Sequence, residues 1–279
     1  MSDVTVMYHG GGCLDGFTAA WVMRRHFPDA EFYAVNYHEL PPCYPTGHLY
    51  LVDFLFQDRA VMHDLIEAAE RVTIFDHHAG SEQLFHELMR QYPNKVSGNF
   101  DRSRSGAGIT WDVMEKHRAR PELVDLVEDR DLWWFRKMQT KAYTAGLATI
   151  PLTWEKWNWA HDNYILVCVR GQAELDRIDL EVQDHLKTKR FTLTLPEEGG
   201  REVPAIMTNV PELRSELADA LLKDTQTNLA GVCWFTEKGL RVRLVSTPDG
   251  PDVNVICKRH GGGGHAHAAG FLMTPDIPA

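Results

Sequence analysis

The amino-acid sequence predicts an α/β protein with a parallel-sheet N-terminal domain and a smaller α/β C-terminal domain. Three observations carry that expectation. Short β-rich runs alternate with helical patterns through the first half. A long helical stretch then separates them from a second set of strand-like runs. The length of 279 residues, set against roughly 150 per domain, implies two domains.

Residues 4–8 form an apolar, β-branched run of the kind found in buried strands. A glycine loop at 10–12 follows, then a helical pattern at 17–27. Strand-like runs occupy 31–35, 48–52 and 71–75. Between the last two, Val61, Leu65, Ile66 and Ala69 recur at helical spacing over 57–70. Strand and helix alternating at this interval indicate parallel pairing with right-handed crossovers. From Ser105 the pattern is helical, through 109–116 and 122–128. Trp154, Trp157 and Trp159 cluster ahead of a helical run at about 172–188 that serves as a connector. Residues 196–200 are turn-forming, and strand runs follow at 203–207, 231–236 and 240–246 with a helix near 213–222. A further helix is expected to begin near His265. The expected domains are 1–165 and 191–279, joined by a helical connector at 166–190.

With 29 basic and 39 acidic residues the formal charge is −10, and 44% of residues are hydrophobic and 24% charged. That composition excludes collagen-like, disordered and membrane-spanning classes. The acidic balance argues against a binder of long duplex DNA, which gains affinity by neutralising phosphates. It leaves room for a short nucleotide, because bound metal ions can supply positive charge. Cys13, Cys43, Cys168, Cys233 and Cys257 are scattered and form no Cys-x-x-Cys pair, so neither a disulfide framework nor a zinc ribbon is expected. The first ten residues lack the pattern of a signal peptide, and the strongly apolar run at 49–56 is too short to span a bilayer. The expectation is a soluble protein of a reducing, cytoplasmic compartment, with no membrane partner.

Three polar clusters sit directly after strand runs: His9 with Cys13 and Asp15, then Asp53, then Asp76-His77-His78. A fourth, Glu128, Asp129 and Asp131, ends a helical run. In open parallel sheets the carboxyl ends of strands border the ligand crevice, so the clusters should converge. Acids sharing one crevice repel unless cations neutralise them. Mixed imidazole and carboxylate donors suit Mn²⁺, Fe or Zn²⁺ better than Ca²⁺. A two-metal centre can activate a water and stabilise charge on a phosphoryl oxygen. Each residue also has a blander reading: His9 as a structural histidine, Asp53 as a helix cap, Asp129 or Asp131 as surface acids. Three ionisable groups in a row after an apolar strand are harder to dismiss. Near the C-terminus, Gly261–Gly264 with His265 and His267 can bring backbone N–H groups close to an anion, the alternative being a flexible linker.

Asp76-His77-His78 after an apolar strand, with Gly261–Gly264-His265 and Ala268-Ala269-Gly270 about 190 residues on, resembles the DHH phosphoesterase superfamily with its DHH-associated C-terminal domain. The stretch from His9 to Gly16 resembles that family's first motif, Val52-Asp53 its second, and 128–131 its fourth. The resemblance implies that the N-terminal domain is catalytic and holds two divalent ions, Mn²⁺ first, with Mg²⁺, Co²⁺, Fe or Zn²⁺ as alternatives. His9 and Cys13 would hold one ion, Asp15 and His77 the other, with Asp53 between them. Asp129 or Asp131 would complete the set, with the spacing from Leu126-Val127 favouring Asp129. Asp76 would orient a neighbouring imidazole, and His78 would face the scissile phosphate. Gly262, Gly263, Gly264 and His265 would bind the substrate's other phosphate or terminal nucleotide.

Two positions depart from the family pattern. Cys13 stands where many members have Asp, and a thiolate is a softer ligand. Val245 stands where relatives often place a phosphate-binding Arg, with Arg241 and Arg243 on the same strand face. Outside the motifs, Arg104 and Ser105 can contact phosphate at a helix start; an N-cap Ser beside solvated arginines is the alternative. Trp133, Trp134 and Phe135 can stack bases, although core packing is the commoner fate of such a cluster. The implied activity is metal-dependent phosphodiester hydrolysis of short single-stranded oligonucleotides or dinucleotides. The alternatives are a RecJ-like exonuclease on longer strands and a non-catalytic nucleotide-binding protein with a degenerate first metal site. A homodimer is compatible with either.

Overall fold

In a computed structural model, which describes residues 3–195 and 198–273, the apolar runs of the first half pair as five parallel strands. They are β1 (Val4–His9), β2 (Glu31–Val35), β3 (His48–Val52), β4 (Arg71–Asp76) and β5 (Val96–Phe100), in the order β2-β1-β3-β4-β5. Successive side chains point to opposite faces of a sheet, so each inner strand feeds two cores. Val6, Tyr50, Val52 and Phe75 join one core, and Met7, Leu49, Leu51 and Ile74 the other. Burial on both faces is why these strands read as continuous apolar runs.

Helices α1 (Leu14–His26), α2 (Arg59–Ala68), α3 (Glu82–Gln91), α4 (Gly106–Met114), α5 (Glu122–Asp131), α6 (Thr140–Ala148) and α7 (Trp154–Asp162) cover those faces. The α1 and α4–α7 side chains build the first core, and α2 and α3 the second. The sequence reading did not mark α3, α6, α7 or β5. Leu84, Phe85 and Leu88 give α3 its single buried face. β5 reads Val-Ser-Gly-Asn-Phe and has little strand propensity of its own. Its ladder with β4 holds it, and Gly98 permits the approach, because a Cβ there would lie 2.0 Å from the Ile74 carbonyl oxygen.

Helix α8 (Tyr164–Thr188) begins well ahead of the expected start at 172. Internal contacts divide the chain into two units within this helix, Met1–Leu175 and Asp176–Ala279. The second unit contains β6 (Arg190–Leu195), β7 (Arg201–Met207), β8 (Leu229–Thr236), β9 (Gly239–Ser246), β10 (Gly263–His265) and β11 (Ala268–Met273). Their order is β10-β11-β9-β8-β7-β6; β7 and β8 run parallel and the other neighbours antiparallel. Helix α9 (Arg214–Thr225) packs Leu217 and Leu221 with Ile206 and Val232. Helix α10 (Val253–Arg259) packs Ile256 and Cys257 with Val203 and Leu244 in a separate core. Of the turn expected at 196–200, Gly199 and Gly200 adopt positive φ, and residues 196 and 197 lie outside the described residues.

The helix expected to begin near His265 is not formed. The glycine run follows α10 and enters a hairpin, in which Gly263 to His265 pair with Gly270 to Ala268. The reason is periodicity: Ala269 and Phe271 are buried while Ala268, Gly270 and Leu272 are less so, a two-residue alternation. The glycines therefore do not sit at a helix N-terminus.

Trp157 couples α7 to α1. It is fully buried, meets the Phe17 ring edge-on at 5.0 Å, and its indole N–H donates to Thr18 Oγ1 at 3.1 Å. Trp157→Ala should cost about 3–5 kcal/mol, measured as a lower urea midpoint at unchanged slope.

Candidate metal centre

β1 and β3 are neighbours from which the chain builds outward in opposite directions, to β2 on one side and to β4 and β5 on the other. A doubly wound sheet opens a crevice beyond its carboxyl ends at such a point. His9 closes β1, Asp53 follows β3, and Asp76 closes β4 with His77 and His78 next in the chain. Asp15 enters from the first turn of α1 and Asp131 from the end of α5.

The side chains meet as two groups. Donor atoms of His9, Asp53 and His78 lie within 4.8 Å of one another, and so do those of Asp15, His77 and Asp131. Asp53 touches both groups: Oδ2 is 3.6 Å from His9 Nδ1, and Oδ1 is 3.1 Å from His77 Nε2. His77 Nε2 also lies 3.5 Å from Asp131 Oδ2 and 3.8 Å from Asp15 Oδ2. The Asp53 backbone has φ 56°, a left-handed conformation that aspartate tolerates better than most residues. Its N–H donates to the Phe75 carbonyl at 2.7 Å.

The electrostatics are those of charges packed without enough water. Burial, then Asp53 and Asp131, push the Asp15 carboxyl well above its ordinary range. Asp131 keeps a solvent-facing edge, but partial desolvation at the rim, with Asp53 adding to it against His77, raises its carboxyl. Burial also acts to raise Asp53, but its contacts with His77 and His9 outweigh that and hold it well below the usual carboxylate range. For His77 and His78 burial opposes the proton, while Asp53 for the first and Asp76 for the second more than compensate, so both are raised. His9 Nδ1, His77 Nε2 and Asp53 Oδ1 are shut off from solvent and make no well-directed hydrogen bond, their ion-pair contacts with one another aside. Buried polar atoms in that condition are costly. Three imidazoles and three carboxylates with such atoms fit divalent cations that accept mixed nitrogen and oxygen donors.

Neighbouring elements hold the donors in place. Asp76, fully buried, accepts from the backbone N–H of His77 at 2.8 Å and of His78 at 3.2 Å, and from His78 Nδ1–H at 2.7 Å. Asp15 receives the first N–H groups of α4, from Gly106 at 2.6 Å and Ala107 at 3.1 Å, where the helix dipole favours a negative charge. Gly106 also presses on Asp53: a Cβ there would lie 2.4 Å from the Asp53 Cβ. Tyr37 and Phe54 wall the cluster, their rings 5.3 and 5.9 Å from that of His9. A cavity of about 210 Å³ beside it is bordered by Cys13, Asp15, Arg130 and Asp131.

Several expectations change. Asp129, favoured over Asp131 by its spacing, turns away from the cluster. Its carboxylate accepts the N–H groups of Arg136 at 3.0 Å and Lys137 at 3.1 Å and the Thr140 hydroxyl, whereas Asp131 faces His77. Cys13 belongs to neither three-donor group. Its sulfur caps α1 by accepting from Gly16 N–H at 3.4 Å, and its S–H donates to Asp53 Oδ2 at 3.5 Å. Burial, then Asp53 and Asp15, push its thiol up. Arg104 and Ser105 have internal partners. Arg104 pairs with Glu128 and Asp112, and buried Ser105 caps α4 by accepting from Gly108 N–H at 3.1 Å. Gly262, Gly263, Gly264 and His265 lie in the second unit, with Gly263 to His265 exposed. Val245 packs beside the α9 core, and the half-buried Arg243 shares its strand face. Sequence reasoning missed Gly106 as a packing requirement and Tyr37 and Phe54 as the wall; a glycine directly after Ser105 was the available signal for the first.

A parallel sheet followed in the chain by a mixed second sheet is the fold that the chain shares with a solved phosphodiesterase structure. Its particular likenesses are distant. The chain is similar in structure to the pGpG-specific phosphodiesterase PggH of Vibrio cholerae, at 13% identity and a TM-score of 0.53, over 98% of this chain and 94% of that one. It is also similar to RecJ in complex with Mn²⁺ from Thermus thermophilus, at 16% identity and a TM-score of 0.45, over 97% of this chain and 49% of that one. In sequence it is 24% identical, over 96% of its length and 67% of the relative's, to uncharacterized protein R106 of Acanthamoeba polyphaga mimivirus. No family model matches the chain.

Two substitutions on the same helix test the geometry. Asp131→Asn should weaken Mn²⁺ binding by about 10–100-fold in calorimetric titration, whereas Asp129→Asn should leave that affinity within about threefold. Gly106→Ala should weaken Mn²⁺ at least as much as Asp131→Asn, with the far-ultraviolet spectrum retained.

Proposed function

We propose that the protein is a metal-dependent phosphodiester hydrolase acting on short single-stranded oligonucleotides or dinucleotides. The observation that carries this reading is the convergence of His9, Asp53 and His78 with Asp15, His77 and Asp131 around a shared Asp53. His9 and Asp53 on one side, and Asp15, His77 and Asp131 on the other, would hold divalent ions, Mn²⁺ before Mg²⁺, Co²⁺, Fe or Zn²⁺, which leaves His78 free to face the substrate. When bound, such ions supply Lewis acidity that activates water and offsets charge on phosphoryl oxygens. The protein's own part is to hold these donors in a crevice walled by Tyr37 and Phe54 and to position His78. With Nδ1–H given to Asp76, His78 presents Nε2 to the departing oxygen, to which it donates a hydrogen bond or proton. Cys13 serves as cap and neighbour to Asp53 rather than as a principal ligand.

The preference for short substrates rests on the net charge of −10, which disfavours a long polyanion. The similar Vibrio protein, whose name specifies pGpG, supports the same size class. In the second unit, exposed His265 and the adjoining glycine backbone are assigned to phosphate binding. No helix among the described residues is long and apolar enough to cross a membrane. A cytoplasmic location accords with five free cysteines.

Purified protein stripped with EDTA should not cleave a dinucleotide, and Mn²⁺ should restore cleavage. His77→Ala and Asp53→Ala should each lower kcat/KM on the order of a hundredfold or more while remaining folded; wild-type rates in either would refute the assignment. His265→Ala should raise KM for dinucleotides and spare a small generic phosphodiester, as expected when remote binding is lost. Equal loss on both substrates would remove His265 from that role.

A further inference from the structure

Immediately after Asp131 the chain forms a short loop of large aromatic residues directed outward. Trp133 is 70% exposed and Trp134 37% exposed, so Trp133 has not met the commoner fate of core packing. Trp133 and Phe135 adopt φ 57° and 49°, a left-handed conformation unfavourable for bulky side chains. Asp129 stabilises it. Its carboxylate takes the N–H groups of Arg136 and Lys137, and its backbone carbonyl takes the N–H of Trp134 at 2.9 Å. A buried acid is thus committed to keeping aromatic rings in solvent.

Cations surround the rings. The Arg130 guanidinium lies 4.8 Å from the Trp133 ring centre, and Phe135 meets Trp133 edge-on at 5.0 Å. Arg136 lies 4.0 Å from the Trp134 ring, and the Lys141 ammonium 5.5 Å from Phe135. Arg130 also borders, with Asp131 and Asp15, the cavity beside the donor cluster. The same arginine therefore touches both the aromatic loop and the rim of the candidate centre. Trp133 is two residues from Asp131, a reach of at most ~7 Å along the chain, comparable to the span from a nucleotide's phosphate to its base.

We infer that Trp133, backed by Arg130 and Phe135, is a ledge on which the nucleobase beside the scissile phosphate stacks. Arg130 and Arg136 supply positive charge to that nucleotide. The assignment rests on the hydrolase reading for the identity of the ligand, and it adds that the substrate is recognised by its base as well as its phosphate. Because every base has a π-face, stacking of this kind tolerates any sequence. An exposed aromatic surface can also serve contact between proteins, but the bordering arginines and the adjoining cavity that Arg130 lines favour an anionic, flat ligand.

The test uses the full chain, Trp133→Ala and Trp133→Phe, with the dinucleotide ApA and an abasic dinucleotide of the same backbone. Binding is followed by tryptophan fluorescence in EDTA, and turnover in Mn²⁺. Trp133→Ala should weaken ApA binding and raise its KM by about tenfold at near-constant kcat. Trp133→Phe should recover most of that loss, and the abasic compound should respond alike in all three proteins. Unchanged ApA binding and KM in Trp133→Ala would overturn the ledge while leaving the hydrolase reading intact. Equal weakening of ApA and the abasic compound would also overturn it, as would a change in sedimenting mass without a change in ApA affinity. Absence of ApA cleavage by the wild type would instead count against the hydrolase reading, with stacking still judged by the EDTA titrations.

Discussion

The Asp53 carboxylate, 1% exposed and set between the imidazoles of His9 and His77, is the constraint to which the N-terminal unit is adapted. A lone buried carboxylate would recover its neutral form by an upward shift; here the neighbouring imidazoles keep it charged. Asp15 and Asp131 share the same pocket and are pushed the other way by burial and by Asp53. An arrangement that makes one acid more acidic and two less so has more negative charge than the protein alone can stabilise comfortably. Divalent cations would answer that imbalance and would also meet the nitrogen and oxygen atoms around Asp53 that make no well-directed hydrogen bond.

Helix α5 shows how closely the scaffold and the chemistry are joined. Three of its acids lie within four residues and have three different tasks. Glu128 accepts from Ser105 N–H at 3.0 Å and from Arg104 and Arg120, which ties α5 to the start of α4. That helix start gives its free N–H groups to Asp15 and brings Gly106 against Asp53. Asp129 folds the loop that follows, and Asp131 faces His77. Each residue turns about 100° around the helix axis, so 128 and 131 fall near one face while 129 points well away. The Glu128 and Asp15 contacts are thus two ends of one connection, through which the position of α4 sets the geometry of Asp131 and Asp53.

The parallel strands were legible because burial on both faces leaves unbroken apolar runs, and β2 and β3 have the bounds that the sequence implied. The strand-end polar clusters were legible for the same reason: a run of ionisable residues contrasts sharply with the apolar strand before it. β5 was not legible, since a polar edge strand is defined by its partner and by the room Gly98 leaves. Asp129 was favoured from its distance to Leu126 and Val127, but linear spacing does not reveal which carboxylate finds two backbone N–H groups in a loop still to come. Ser105 is the N-cap that the sequence also offered, whereas Arg104 is not solvated, because its partners Asp112 and Glu128 lie further along the chain. The supposed helix at His265 failed because small residues suit a helix start and a tight hairpin equally, and the buried positions of Ala269 and Phe271 decide between them.

The net charge of −10 is a property of the whole chain, whereas a ligand meets charges locally. Arg130, Arg136 and Lys141 gather around one aromatic loop, and Asp131 just before it belongs to a cluster suited to cations. On the proposed reading, a short anionic ligand at that loop would meet fixed positive side chains together with the charge of any bound metal. Under the proposed function, that local charge would suit a short anionic ligand, and size selection would then arise from the surroundings of the site rather than from the metal donors themselves.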